Sequence, residues 1–134
     1  MLNIFPNILF LGILAPTILR LLVGGIFTYW GYSKLTKGKE IKTELFTKAG
    51  FKNPKGITVI MGILESVIGL GLIFGIYTQL FALLGAVIMV FAIKFKNKFP
   101  ENMAESKLFY FTLFVILISL ILTGAGGLAF DIGL

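Results

Sequence analysis

Apolar stretches separated by two lysine-rich segments dominate this chain. The first runs from Leu2 to Ser33, longer than the ~20 residues needed to cross a bilayer. Pro16 divides it, and Asn3, Pro6 and Asn7 break up its beginning. The pattern predicts a short helix near the membrane interface over residues 3–14. A first transmembrane helix then runs from about Pro16 to Leu35, with proline at a favourable helix-start position. Residues 36–55 form the one substantial polar loop. Within it Glu40, Ile41, Glu44, Leu45 and Lys48 recur at helical spacing and predict a short amphipathic surface helix. Asn53-Pro54 and Gly56 punctuate its end. A second span follows from about Ile57 to Ile76, and Tyr77-Thr78-Gln79 makes a tight connection to a third, from about Leu80 to Phe95. These two must therefore be antiparallel neighbours. A second basic segment, Lys94 to Lys107, is broken by Pro100 and leads to a fourth span over about Leu108 to Thr123, then a glycine-rich tail, Gly124–Leu134. The expected fold is all-α and membrane-integral: a four-transmembrane-helix bundle with a short N-terminal interfacial helix, in one domain over 1–134.

Composition supports this pattern. Of 134 residues, 57% are hydrophobic and 13% charged, and mean hydropathy is +0.99, so the polar surface that a small soluble domain requires is missing. Net charge is +6, and every lysine falls in segment 34–55 or 94–107. With four spans those segments share one side, and positive-inside bias predicts both to be cytoplasmic, with both termini outside. No nucleic-acid motif accompanies the charge. No Lys or Arg precedes the first apolar run and no small-residue cleavage site follows it, which argues against a secretory signal peptide. The chain holds no cysteine and no histidine. That excludes a disulfide framework, a thiolate nucleophile, a Cys/His zinc site and a Ser-His-Asp triad, so no metal site is expected.

Ionisable groups within hydrocarbon are costly and face the bundle interior. Arg20 and Glu65 sit inside spans; Lys34 and Asp131 lie near boundaries. On the first helix Arg20, Gly24, Phe27, Gly31 and Lys34 share one face, and on the second Gly62, Glu65, Ser66 and Gly69 do so. Glycines beside charges allow close approach of a neighbouring helix or of a ligand. The candidate ligand-binding set is therefore Arg20, Gly24, Gly31, Lys34, Gly62, Glu65 and Gly69. Arg20 lies only ~6 Å inside the expected helix start, within snorkelling reach of the outer headgroups. Asp131 is expected on the same side, so Arg20 and Asp131 form a candidate outer ion pair. Trp30, Tyr32, Tyr77 and Tyr110 lie near span ends and read as interfacial aromatics.

The run Arg20-x-x-x-Gly24 followed by Gly31-Tyr32-Ser33-Lys34-Leu35 resembles the first helix of DoxX-type membrane proteins. Gly62-Ile63-Leu64-Glu65, with glycines continuing to Gly75, is similar to that family's Glu-bearing helix. Thr78 stands where the family often has threonine in a short turn, and Thr123-Gly124-Ala125-Gly126 running to Asp131 resembles its Gly-x-Gly tail. The likeness covers about residues 15–134. It departs where many relatives carry histidine: this chain has Trp30 before Gly31 and lysines around 94–98. The resemblance implies a four-helix bundle in a bacterial cytoplasmic (inner) membrane. It also implies an association with redox chemistry, since one relative is the small membrane subunit of a thiosulfate:quinone oxidoreductase.

The leading expectation is a redox-associated subunit binding quinone between the first two helices, with no covalently bound cofactor. Arg20 or Lys34 would donate hydrogen bonds to a quinone carbonyl and Glu65 would carry a proton. The alternatives are a carrier for a small anionic or lipidic solute, which would need a homo-oligomer, and a scaffold recruiting a soluble partner. A redox partner protein is expected at the 36–55 loop, and membrane lipid around the spans. No self-contained catalytic motif is present, so no catalytic residue is assigned.

Overall fold

The computed structural model describes residues 14–100, 103 and 105–123. Five helices follow in order: α1 (Leu14–Leu35), α2 (Lys39–Lys48), α3 (Pro54–Phe74), α4 (Thr78–Lys98) and α5 (Lys107–Thr123). No strand occurs among the described residues. α1, α3 and α4 are long and apolar enough to cross a membrane; α5 is a shorter apolar helix of 17 residues. The expected interfacial helix over 3–14 lies almost wholly outside the described residues, as does the tail from Gly124, so neither Asp131 nor its pairing with Arg20 is placed.

Local chemistry sets the ends. Asn53 caps α3, its side chain accepting a hydrogen bond from the Gly56 N–H at 3.2 Å, and Pro54 occupies the first turn, where its missing N–H costs nothing. The helix therefore starts three residues before the sequence pattern suggested. It stops at Phe74 because Gly75 adopts a left-handed conformation (φ 70°) that glycine takes without strain. The connection is thus Gly75–Tyr77, two residues earlier than expected, and Thr78 already belongs to α4. The amphipathic surface helix appears as α2, with Leu45 and Phe46 buried while Glu44 and Lys48 form an exposed i,i+4 ion pair at 3.4 Å. Ile41, expected on the apolar stripe, is 52% exposed.

The helices associate as two antiparallel pairs. α1 packs most extensively on α3, and α4 on α5; α3 and α4 touch far less. Glycine makes the first pair possible. A methyl built on Gly31 would stand 2.5 Å from the Gly62 carbonyl oxygen, and one on Gly24 would stand 2.8 Å from that of Gly69. In the second pair the Gln79 side-chain amide donates to the Ile121 carbonyl at 2.8 Å. Phe27, fully buried, reaches from α1 towards Gly85 of α4 and joins the pairs. Val23, Ile68, Leu72, Ala82 and Leu117 complete the dry centre. Ile60, Leu80, Phe91 and Leu122 project outward, as expected of a belt facing acyl chains.

Candidate functional site

The end of the bundle that carries the lysine-rich segments holds a cavity of about 250 Å³. Its floor is an ion pair. α1 brings Lys34 in from its last turn, and α3 presents Glu65 from its middle; Lys34 Nζ donates to Glu65 Oε1. The lysine side chain is 13% exposed and the carboxylate 2%. The other carboxylate oxygen, Oε2, is buried and has no hydrogen-bond partner among the described residues. A buried acceptor of this kind is uncommon and marks a place where a ligand or water completes the set.

The opposite wall comes from the connection between α4 and α5. Glu105 accepts from Trp30 Nε1–H at 3.1 Å and from the Tyr110 hydroxyl at 3.0 Å. Trp30 also makes edge contacts with Phe27 and Phe109, at ring-centroid distances of 5.6 and 6.0 Å. This corrects the reading of Trp30 and Tyr110 as interfacial aromatics: Tyr110 is buried and Trp30 is half-buried, both turned inward onto a carboxylate. Tyr32 and Tyr77 are exposed, as an interfacial role requires.

α2 closes the top. Lys42 Nζ donates to the Met103 sulfur at 3.3 Å, while Lys96 donates to the Met103 carbonyl at 2.7 Å. Burial pushes the Lys42 ammonium down to about 8, the Lys34 charge acting in the same direction and Glu105 and Glu65 opposing it. The site therefore gathers two carboxylates, two lysines, a tryptophan and two tyrosines, Tyr29 and Tyr110, around one space.

The residues predicted from sequence divide into three places. Lys34 and Glu65 meet in this cavity. Gly24, Gly31, Gly62 and Gly69 lie along the α1–α3 contact, where the room beside them is filled by the partner helix: a methyl on Gly69 would stand 2.5 Å from the Thr28 backbone nitrogen. Arg20 is buried, 1% exposed, in the opposite half of the bundle. Fourteen residues separate it from Lys34, ~21 Å along the helix axis. It therefore neither snorkels from an exposed position nor joins Lys34 and Glu65 at one ligand.

The DoxX family model matches residues 15–98. The chain belongs to the DoxX family. Comparison with curated proteins and with solved structures finds no match. The matched part of this DoxX chain runs from α1 through α4 and contains Trp30, Lys34, Lys42 and Glu65, whereas Glu105 and Tyr110 lie beyond it. Those last two, with Trp30 and Lys42, are the site residues that sequence reasoning missed. Lys42 looks like one more loop lysine, and Glu105 like one of two acids within a basic segment. The available signal was the single indole, Trp30, one turn from Lys34 on the same helix.

Proposed function

We propose that this DoxX protein is a quinone-binding membrane subunit of a redox assembly in the bacterial inner membrane, holding the quinone headgroup in the cavity between Glu65 and Glu105. The observation that carries this reading is the buried Lys34–Glu65 pair in the cavity wall, with Glu65 Oε2 lacking a partner among the described residues. The donor set suits a flat ring with carbonyl oxygens: Lys34 and Lys42 can donate to the oxygens, and Trp30 and Tyr110 offer aromatic surface. A quinone, when bound, supplies electron transfer coupled to proton uptake. Glu65 and Lys34 hold a proton between them beside that space, and a buried acid–base pair of this type is what proton exchange requires. The basic loop around α2 faces the cytoplasm and receives the electron-donating partner, and both termini face outward.

The single tryptophan provides the test, because Trp30 lines the cavity and quinones quench indole emission. Protein in nanodiscs is titrated with a tail-less ubiquinone headgroup. Saturable quenching of Trp30 is expected. Glu65→Gln alone would leave Lys34 opposite a neutral amide, a destabilising change, so the variant compared is Lys34→Gln with Glu65→Gln. It should keep the wild-type melting midpoint and bind about tenfold or more weakly. Equal quenching in that variant and the wild type would show the ion pair to be packing only.

A further inference from the structure

A second cavity, of about 290 Å³, lies on the other side of the Lys34–Glu65 pair. The two share Lys34, Lys42, Glu65, Ile88, Ala92 and Met103 as a common wall. Their characters are opposite. Beyond the three charged residues of that wall, every side chain lining the second cavity is apolar, Phe46, Ile57, Met61, Phe91 and Phe95 among them. An apolar lining around roughly 150 Å³ already takes up a small hydrocarbon. This one is larger and sits between α3 and α4 under α2.

The architecture explains why space exists there. α3 and α4 are tied by the Gly75–Tyr77 turn at one end of the bundle and make little contact elsewhere. Ile57 and Met61 at the start of α3 face Phe91 and Phe95 near the end of α4, where the two helices stand farthest from that turn. Phe51 and Phe91 at the cavity's edge are 42% and 53% exposed, so the wall continues into the lipid-facing surface.

We infer that the α3–α4 cavity holds the hydrocarbon tail of the ligand whose headgroup occupies the neighbouring polar cavity. The ligand is therefore a lipid-soluble amphiphile that arrives sideways from the bilayer between α3 and α4, beneath α2. This rests on the quinone reading above and adds to it a tail site and a route. A water-soluble solute would have no use for a mostly apolar compartment joined to the binding site, whereas a hydrocarbon tail placed there buries its surface against apolar side chains.

The experiment compares two probes in nanodiscs by Trp30 quenching: the tail-less ubiquinone headgroup and the same headgroup with a decyl tail. Ile57→Phe with Met61→Phe, one turn apart on α3, fills the apolar cavity and leaves the headgroup side untouched. Relative to wild type, that variant should bind the decyl probe about tenfold more weakly and the tail-less probe within about twofold. If both probes bind as in wild type, or both weaken alike, the tail site is wrong while the headgroup reading stands. If neither probe quenches wild-type Trp30 saturably, the headgroup reading fails and takes the tail site with it. Should the variant not fold, wild type alone decides. Affinity per mole fraction in lipid should rise when the tail is added, and no rise overturns the inference.

Discussion

At the scale of single residues, Lys42 shows how a charge can be held where it is costly. It lies on a helix that does not cross the membrane, yet burial and the neighbouring Lys34 ammonium depress its pKa from 10.5 to about 8, against the pull of Glu105 and Glu65. The unfolded chain then binds more protons than the folded one between pH 8 and 10.5, so folding gains stability as pH rises through that window. Below about 8 both states carry the charge and the folded one bears its full burial cost. Melting in detergent should therefore give a higher midpoint at pH 9.5 than at 7.5. Lys42→Met, which keeps the length of the side chain without its charge, should flatten the difference. A Lys42→Met profile as steep as the wild type would place the titration elsewhere. Of the residues in this cluster, Glu65 was legible in the sequence because hydrocarbon on both sides makes any charge conspicuous, and Lys34 because it shares a helix face with Gly24, Phe27 and Gly31. Lys42 and Glu105 were not, since a charge in a polar loop carries no such contrast; only the path of the chain reveals that they turn inward.

Among elements, the α1–α3 pair depends on backbone proximity more than on side chains. Gly24, Gly31 and Gly69 abut the backbone of the opposite helix, so a Cβ at any of them must move it, while one at Gly62 would press on the Leu35 side chain. Gly69→Leu forces α1 away and should cost about 1–3 kcal/mol or more, seen as a lowered melting midpoint. Gly25 is the natural control: it is in the same helix as Gly24, but a Cβ there meets nothing within 4 Å. Gly25→Ala should be neutral or stabilise by up to about 1 kcal/mol through helix propensity. Equal loss at both positions would contradict the pairing of α1 with α3. The spacing of these glycines was visible in the sequence as two matching faces. What filled the room beside them was not, because a small-residue stripe looks alike whether a helix or a ligand occupies it. The surface helix was legible for the opposite reason, its polar and apolar positions being sorted by face, although only Leu45 and Phe46 end up buried.

For the molecule as a whole, the expected orientation puts α2 in the cytoplasm and the Gly75–Tyr77 turn outside. The chain lacks cysteine, so single cysteines report without background. Tyr77→Cys, at a position 56% exposed, should react with an impermeant maleimide in intact cells. Lys48→Cys should react only after the cells are opened; the reverse pattern would invert the topology. The apolar helices themselves could be read from hydropathy alone, since polar segments or a turn bound each of them. Which helices pair could not, and that pairing has a consequence for biogenesis. α1 finds its principal partner not in the next segment to emerge from the ribosome but in α3, after α2 has been laid down. A nascent chain stopped before residue 54 holds Arg20 and Lys34 with neither Glu65 nor the α3 glycines yet made. Insertion of α1 is therefore provisional: chains arrested at that point should be cleared by membrane proteases, and those extended through Phe74 should persist.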